Sequence, residues 1–597
     1  MSISSRSSHD HQSPAWRWLW PLVLLTGLLI QALYLPASIL PVHDTMIQQE
    51  SFSIFYSGLK HHQELAWWFP YGKFGMISDF IFWGKVTPME MTAMGIGLLL
   101  GVDNTILLFK TATILEVMIF LFGITMLSVQ LYRTPLARLT VIITALFMVC
   151  WIGTIGLNFH VFYALPMVLL LLVQFFRSGD LRLFWLALLC ETGSFIGNVS
   201  YVGPVHFIML TLFMLMQFHH QPQRIKSLIN FNVQSFLLMV LTLALLCVEG
   251  YFALHSADSY AISSGRDPET GLVPLANYLT HGRPIIGTSL FGLLTGGLAR
   301  ADNSYYIGFL PFILFFGGLT FMGGHRFWRF AAGALMLIWL SFGGYFATFL
   351  HSYAPTFNLL RHIGLFYAMA TLFMLLAAGH VLEHLQQNRG CGSRPWDWKR
   401  GMQLLLLIAM GVDLGLHDGL KGLQEVVNYR PDPDWQPWFI LRMAVWQLGL
   451  VYFWRQLYRP HPDRKAVGGT RQIGQIVMLL CIVVDMGSFA LQYYRTINHF
   501  DPSKQQGLFV SRPLAFQSTR PLPTPEESRS SRFLKMMEEK SYYYRNATYT
   551  ETTYTAHHLD PCITGKNTRS FINPMRTQQM LDALYDGAYH SPMARKN

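Results

Sequence analysis

Charge is what this sequence has little of. Only 13% of its 597 residues are Asp, Glu, Lys or Arg, against about a quarter in ordinary soluble domains. With 52% apolar residues, 14% aromatics and a mean hydropathy of +0.31, a soluble globular class is excluded and a polytopic membrane protein is indicated. Cysteine is scarce as well. The six (Cys150, Cys190, Cys247, Cys391, Cys481, Cys562) show no C-x-x-C spacing, and four lie inside apolar runs, which argues against a disulfide framework or a structural zinc site. No P-loop or dinucleotide fingerprint is present, so a nucleotide-sugar site is not indicated. The net charge of +11 does not mark nucleic acid as a partner, because its Lys and Arg are dispersed in short loops between apolar runs.

What is present is a succession of apolar segments. Residues 1 to 15 form a polar tail, and Trp16 to Leu40 is long enough to span a bilayer. That run is too long for a signal h-region and lacks an A-x-A site, so it is expected to be a retained first helix. After a loop over 41–88, a short apolar piece at Met89 to Leu100 is either re-entrant or an incomplete span. Further helices are expected near 105–131, 135–156, 158–177, 182–198, 203–219, 231–254, 304–322, 329–350, 363–383, 402–418, 437–455 and 472–493, about thirteen spans in all. A polar loop separates the two groups at 255–303.

Arginine sets the orientation. Alternate loops carry Arg133 and Arg138, Arg177 and Arg182, Arg224 and Lys226, Arg326 and Arg329, Arg389 and Arg394, and Arg455 to Arg471, whereas the short loops of the opposite set hold little beyond Arg361, Lys421 and Arg430. The positive-inside rule then puts the N-terminus in the cytoplasm and the loops 41–88, 255–303 and 351–362 outside. The region 494–597 is also external on this reading. It is rich in Pro, Ser, Thr and Tyr, and is expected to be a small α+β domain or a partly disordered tail.

The stretch from Pro41 to Met76 is unusually dense in polar, aromatic and titratable residues. From Thr45 it reads as an amphipathic helix with Phe52, Phe55, Tyr56 and Leu59 on one face, a helix expected to lie at the membrane surface. Asp44, beside His43, stands at its start. It suits an N-cap, and it equally suits a general base for a membrane-embedded acceptor. Trp67, Trp68 and Tyr71 fit an interfacial belt or a surface that stacks on a sugar. Arg361 and His362, at the outer mouth of a span, fit either snorkelling or a phosphate contact. Within the spans sit Lys110, Glu116, Glu191, Glu249, Asp413, Arg442 and Asp485, which are costly in lipid and so face a partner or cavity. Asp413 in GVDLG and Asp485 in VVDMG repeat a small pattern and are expected to cap or pair.

Taken together, HDTMIQQESF after the first span, ELAWWFPYGKFG, ADNSYYIGFLPFILFFGGL, NLLRHIGLFYAMATLFMLLAAG and the Asp-bearing spans resemble the bacterial YfhO-type membrane proteins of the GT-C glycosyltransferase superfamily. The resemblance implies an all-α GT-C-like bundle that transfers a sugar, with inversion, from a polyprenyl-phosphate donor to an acceptor glycan, lipid or protein. It implies Asp44 as the acidic catalytic residue. His43, Glu50, Trp67, Trp68, Tyr306, Arg361 and His362 are the expected substrate contacts, with Gly308 completing the Tyr-x-Gly opening of a later span. A divalent ion is an optional cofactor, with His43, Asp44 and Glu50 as its candidate ligands. The chain departs from the pattern at Gly364 and Leu365, where a second Arg often stands. A flippase for lipid-linked saccharides and a non-catalytic assembly factor on the same fold are the competing readings.

Overall fold

A computed structural model of the chain describes residues 19–32, 52, 55–56, 59–60, 68–69, 76–77, 86–148, 163–196, 199–260, 272–280, 306–322, 324–354, 357–360, 363–387, 407–413, 415–416, 436–458 and 468–498. The C-terminal region expected to form a small domain lies outside these residues, apart from the end of the last helix. The described part is helical except for one two-residue strand pair. Four helices are long and apolar enough to cross a membrane, or five if one bent pair is counted as a single span, and several shorter apolar helices accompany them.

The first helix, α1 (Leu19–Ala32), packs on α3 (Thr105–Leu131), which also receives the short helix α2 (Pro88–Leu100) and continues into α4 (Pro135–Leu146). Next, α5 (Leu165–Ser178) and α6 (Leu181–Phe195) form a hairpin at Gly179 and Asp180, with α7 (Val199–His220) and α8 (Val233–Tyr260) beyond. Asp180 accepts from the Arg182 N–H and so starts α6. The helix α8 runs to Tyr260, past the point at which a polar loop was expected to begin at His255. Its apolar side chains face outward, with Leu237 61% and Val233 76% exposed. In water such a surface would drive association, whereas lipid accommodates it.

The centre of the bundle is α13 (Leu365–Gln386), buried over most of its length between α11 (His325–Ser341), α10 (Phe309–Phe321) and α4. Being surrounded, it has no polar face, in keeping with a helix that is apolar all round. A last pair, α14 (Gln436–Tyr458) and α15 (Gly468–Asn498), packs side by side and meets α4 through α15. Apart from the long helices lies α9 (Leu275–Thr280), which joins α12 (Tyr345–Tyr353) through a tilted ring contact of Tyr278 with His351 at 4.8 Å.

One sequence expectation changes shape, and another keeps the short form expected of it. The single span expected over 329–350 is broken: α11 and α12 meet at an angle of 86° across Phe342, Gly343 and Gly344. The short piece at 89–100 is a half-length helix. Its 13 residues extend about 20 Å, less than the apolar thickness of a bilayer. It starts at the buried Thr87, where a capping box with Glu90 closes the first turn, and Thr87 Oγ1 donates to Glu116 at 2.9 Å. Glu116 lies about 17 Å along α3 from its first residue, so the N-terminus of α2 ends inside the bundle and its C-terminus turns at Gly101.

Candidate functional site

The first loop is tied down by the apolar face that its sequence pattern marks out. Phe52, Phe55 and Tyr56 have helical backbone and are buried against Val86, Ala93, Met94, Leu108, Phe109 and Ala112. The ring of Phe52 meets Phe109 edge-on at 5.8 Å. The apolar face is thus covered by protein, because α2 and α3 together present an apolar groove that takes these residues up. Polar contacts lock the same segment. Tyr56 donates to the Val102 carbonyl, and Lys60 Nζ donates to the carbonyls of Gly101 and Val102, each at 2.9 Å, while pairing with Asp103. Gly101 ends α2 in the left-handed region at φ 66, and an ammonium over the final carbonyls complements the helix dipole. Burial pushes the Tyr56 phenol above its ordinary pKa; Lys60 opposes this and Asp103 adds to it.

Further along the loop, Trp68 and Phe69 form β1, which pairs antiparallel with Met76 and Ile77 of β2 in the register Trp68 to Ile77 and Phe69 to Met76. Of the aromatic-Pro stretch, Trp68 and Phe69 are thus placed in a two-stranded antiparallel pair. His43, Asp44, Glu50, Trp67, Arg361 and His362 lie outside the described residues. The residues on either side of Arg361 and His362, Leu360 and Ile363, are fully buried. The segment before them is held by the Val273 N–H donating to Asn358 O at 2.8 Å and by His351 Nε2 on Val273 O at 2.8 Å.

Tyr306 sits in a second polar centre that the sequence does not connect to it. Its side chain is 1% exposed, and its hydroxyl donates to Asp485 Oδ1 at 2.5 Å. The same carboxylate accepts the indole N–H of Trp446 and, at 3.1 Å, the backbone N–H of Phe309, which opens α10 after Gly308. Gly308 is required there: its φ is +86, and a Cβ would come within 2.8 Å of Met486 Sδ. The guanidinium of Arg442, wholly buried, lies over the rings of Tyr306 and Phe489 at 5.6 and 5.5 Å and within the field of Asp485.

Asp413 repeats this design at the 86° break. It accepts from Trp339 Nε1 at 2.6 Å and from the Tyr345 and Phe346 N–H groups at 2.8 and 3.2 Å. Gly344 must be glycine for the carboxylate to approach, since a Cβ would lie 2.7 Å from both of its oxygens. Each aspartate thus caps a helix that belongs to a different part of the chain, with a tryptophan as second donor. The capping role expected for Asp413 and Asp485 is what the hydrogen bonds show.

Two other buried carboxylates have partners as well, whereas Glu249 is buried with its Oε1 meeting no hydrogen-bond partner among the described residues. Glu191 pairs with His206, whose ring is fully buried against Phe195, and Glu116 holds Thr87. Lys60, Trp339, Trp446 and His206 were not singled out from sequence. Lys60 alone carried a local signal, one helical turn beyond Tyr56. Among the described residues, no group of three or more His, Cys, Asp and Glu side chains is arranged to hold a metal ion.

No protein-family model matches the chain, and no curated protein matches it.

Proposed function

We propose that the chain is a membrane glycosyltransferase, built on about thirteen spans in a GT-C-like arrangement, that moves a sugar from a polyprenyl-phosphate donor to an acceptor glycan, lipid or protein outside the plasma membrane. The observation that carries this reading is the anchoring of the first loop: Phe52, Phe55, Tyr56 and Lys60 hold the segment that follows Asp44 against α2 and α3. A catalytic carboxylate needs such a rigid support. In the reaction, Asp44 takes the proton of the acceptor hydroxyl as its oxygen bonds to the anomeric carbon, and the bond from that carbon to the phosphate oxygen breaks. The phosphate leaves with the electron pair, and Arg361 stabilises its charge with His362 beside it. Trp67 and Trp68 stack on the sugar, His43 and Glu50 orient the head group, and Tyr306 braces the start of α10. A divalent ion, where used, would be held by His43, Asp44 and Glu50 and would supply charge neutralisation at the phosphate.

The test is Asp44→Asn in purified protein with a radiolabelled polyprenyl-phosphate sugar. Asn caps a helix about as well as Asp, so the variant should fold and bind donor, while losing about 10²–10⁴-fold in transfer rate. Normal transfer by this variant would remove Asp44 from the chemistry. A second reading, a flippase for lipid-linked saccharides, is favoured by the half-length α2 and the break between α11 and α12, since discontinuous helices line transport paths. Movement of labelled lipid across reconstituted vesicles without sugar transfer would select it.

A further inference from the structure

At the end of the bundle where α3 and α5 finish and α11 begins, positive charge converges without an equal number of carboxylates among the described residues. The helix α7 ends at His220 and α11 opens at His325, and the two imidazoles stack with centroids 3.5 Å apart and planes 13° from parallel. The first turns of α11 add Arg326 and Arg329, and Gly324 at its N-cap supplies no side-chain acceptor. Cations at a helix N-terminus oppose the dipole, so the arrangement is unfavourable unless an anion joins it. Arg177, at the end of α5, is within electrostatic reach of Arg326 and Arg133, and Arg329 is within reach of Arg177 and Arg326.

The local acceptors answer this charge only in part, through Glu383, which lies within the field of Arg326. Arg177 is held by the neutral side chain and carbonyl of Gln130. Glu383 accepts from the Arg133 backbone N–H and stands beside His380, at 3.8 Å. Arg329 meets His380 Nε2 at 3.3 Å, and its Nε is buried with no hydrogen-bond partner among the described residues. Arg326 is exposed, as are Arg133, Arg177, His220 and His325. The patch therefore opens to the surroundings through its exposed members, and the half-buried Arg329 beneath them keeps an Nε–H that no described residue satisfies.

We propose that Arg326 and Arg329, with Arg177 and Arg133 beside them, form a binding site for a phosphate oxyanion, carried by the headgroup of an anionic phospholipid or arriving as free phosphate. Guanidinium forks match tetrahedral oxyanions in geometry, and basic pockets between membrane helices take anionic headgroups. On the orientation proposed above, the lipid source would be the cytoplasmic leaflet. The site stands apart from the loop of Asp44, and its readout is binding, so it survives or fails independently of sugar transfer.

The experiment uses the purified full chain, delipidated in detergent. Native mass spectrometry measures retention of added phosphatidylglycerol against phosphatidylcholine, and thermal shift measures protection by inorganic phosphate. We expect preferential retention of the anionic lipid, weakened about tenfold by Arg326→Gln through loss of one charge-assisted contact, and lost in Arg326→Gln/Arg329→Gln. Protection by inorganic phosphate, lost in the same double variant and without lipid preference, would support the site and assign it to free phosphate. Arg326 is exposed, so its variant should elute from size exclusion as the wild type does. Arg182, paired with Asp180, provides the control: an equal loss in Arg182→Gln would reduce the effect to diffuse charge and overturn the site. Unchanged binding of both probes in the double variant would overturn it as well.

Discussion

Replacing Asp485 by alanine removes one acceptor from three donors at once: the Tyr306 hydroxyl, the Trp446 indole and the Phe309 backbone N–H. Each buried donor left unmet costs roughly 1–3 kcal/mol, so a loss of about 3–6 kcal/mol is expected once partial rearrangement is allowed. Arg442 loses the nearby negative charge in the same step, which places the result toward the upper end of that range. Asp485→Asn keeps one oxygen and turns an NH₂ toward the remaining donor, so it should fall between alanine and wild type. Unfolding by sodium dodecyl sulfate in mixed micelles gives the stabilities. The decisive measurement is a double-mutant cycle with Tyr306→Phe, which alone should cost about 0.5–1.5 kcal/mol. In the Asp485→Ala background the same change should cost nothing or recover part of the loss, because it removes a hydroxyl already left unmet. Additive losses from the two substitutions would refute the idea that the hydroxyl acts through Asp485.

The equivalent centre can be probed from its glycine: Gly344→Ala puts a Cβ 2.7 Å from both oxygens of Asp413 and should cost about 1–3 kcal/mol, whereas Gly411→Ala, which meets nothing within 4 Å, should be neutral or slightly stabilising. Lys60→Met leaves the carbonyls of Gly101 and Val102 without their ammonium, and hydrogen exchange over 97–104 should accelerate by about fivefold to tenfold; unchanged exchange would show that the α2 turn holds by itself. The hydrogen bond from Arg182 keeps the Asp180 carboxyl below its ordinary pKa. A depressed folded value means stability that is present in full above the unfolded pKa, near 4, and lost as pH falls through the folded one. Asp180→Asn should therefore be less stable than wild type at neutral pH and should converge with it under acid, as read from unfolding midpoints across pH.

The class of protein was legible in the sequence because lipid imposes a simple requirement, long apolar segments with charge kept to the loops. The positions of most described helices follow from that requirement, and so does the placing of Phe52, Phe55 and Tyr56 on one helical face. The GVDLG and VVDMG segments likewise marked Asp413 and Asp485 as groups needing partners, because a carboxylate at membrane depth cannot remain unmet. What buries each of these groups was decided only by tertiary structure. An apolar helical face looks the same in sequence whether lipid or a neighbouring groove receives it, and here α2 and α3 supply the groove. The break at Phe342 to Gly344 was hidden because the apolar pattern runs straight through it, while the acceptor that makes a new helix start affordable is Asp413, 68 residues beyond Tyr345. Asp485 similarly stands 176 residues beyond Phe309. Hydropathy reports the solvent that a segment prefers, residue by residue; a cap supplied from another helix depends on the packing of the whole bundle, and no local pattern encodes it.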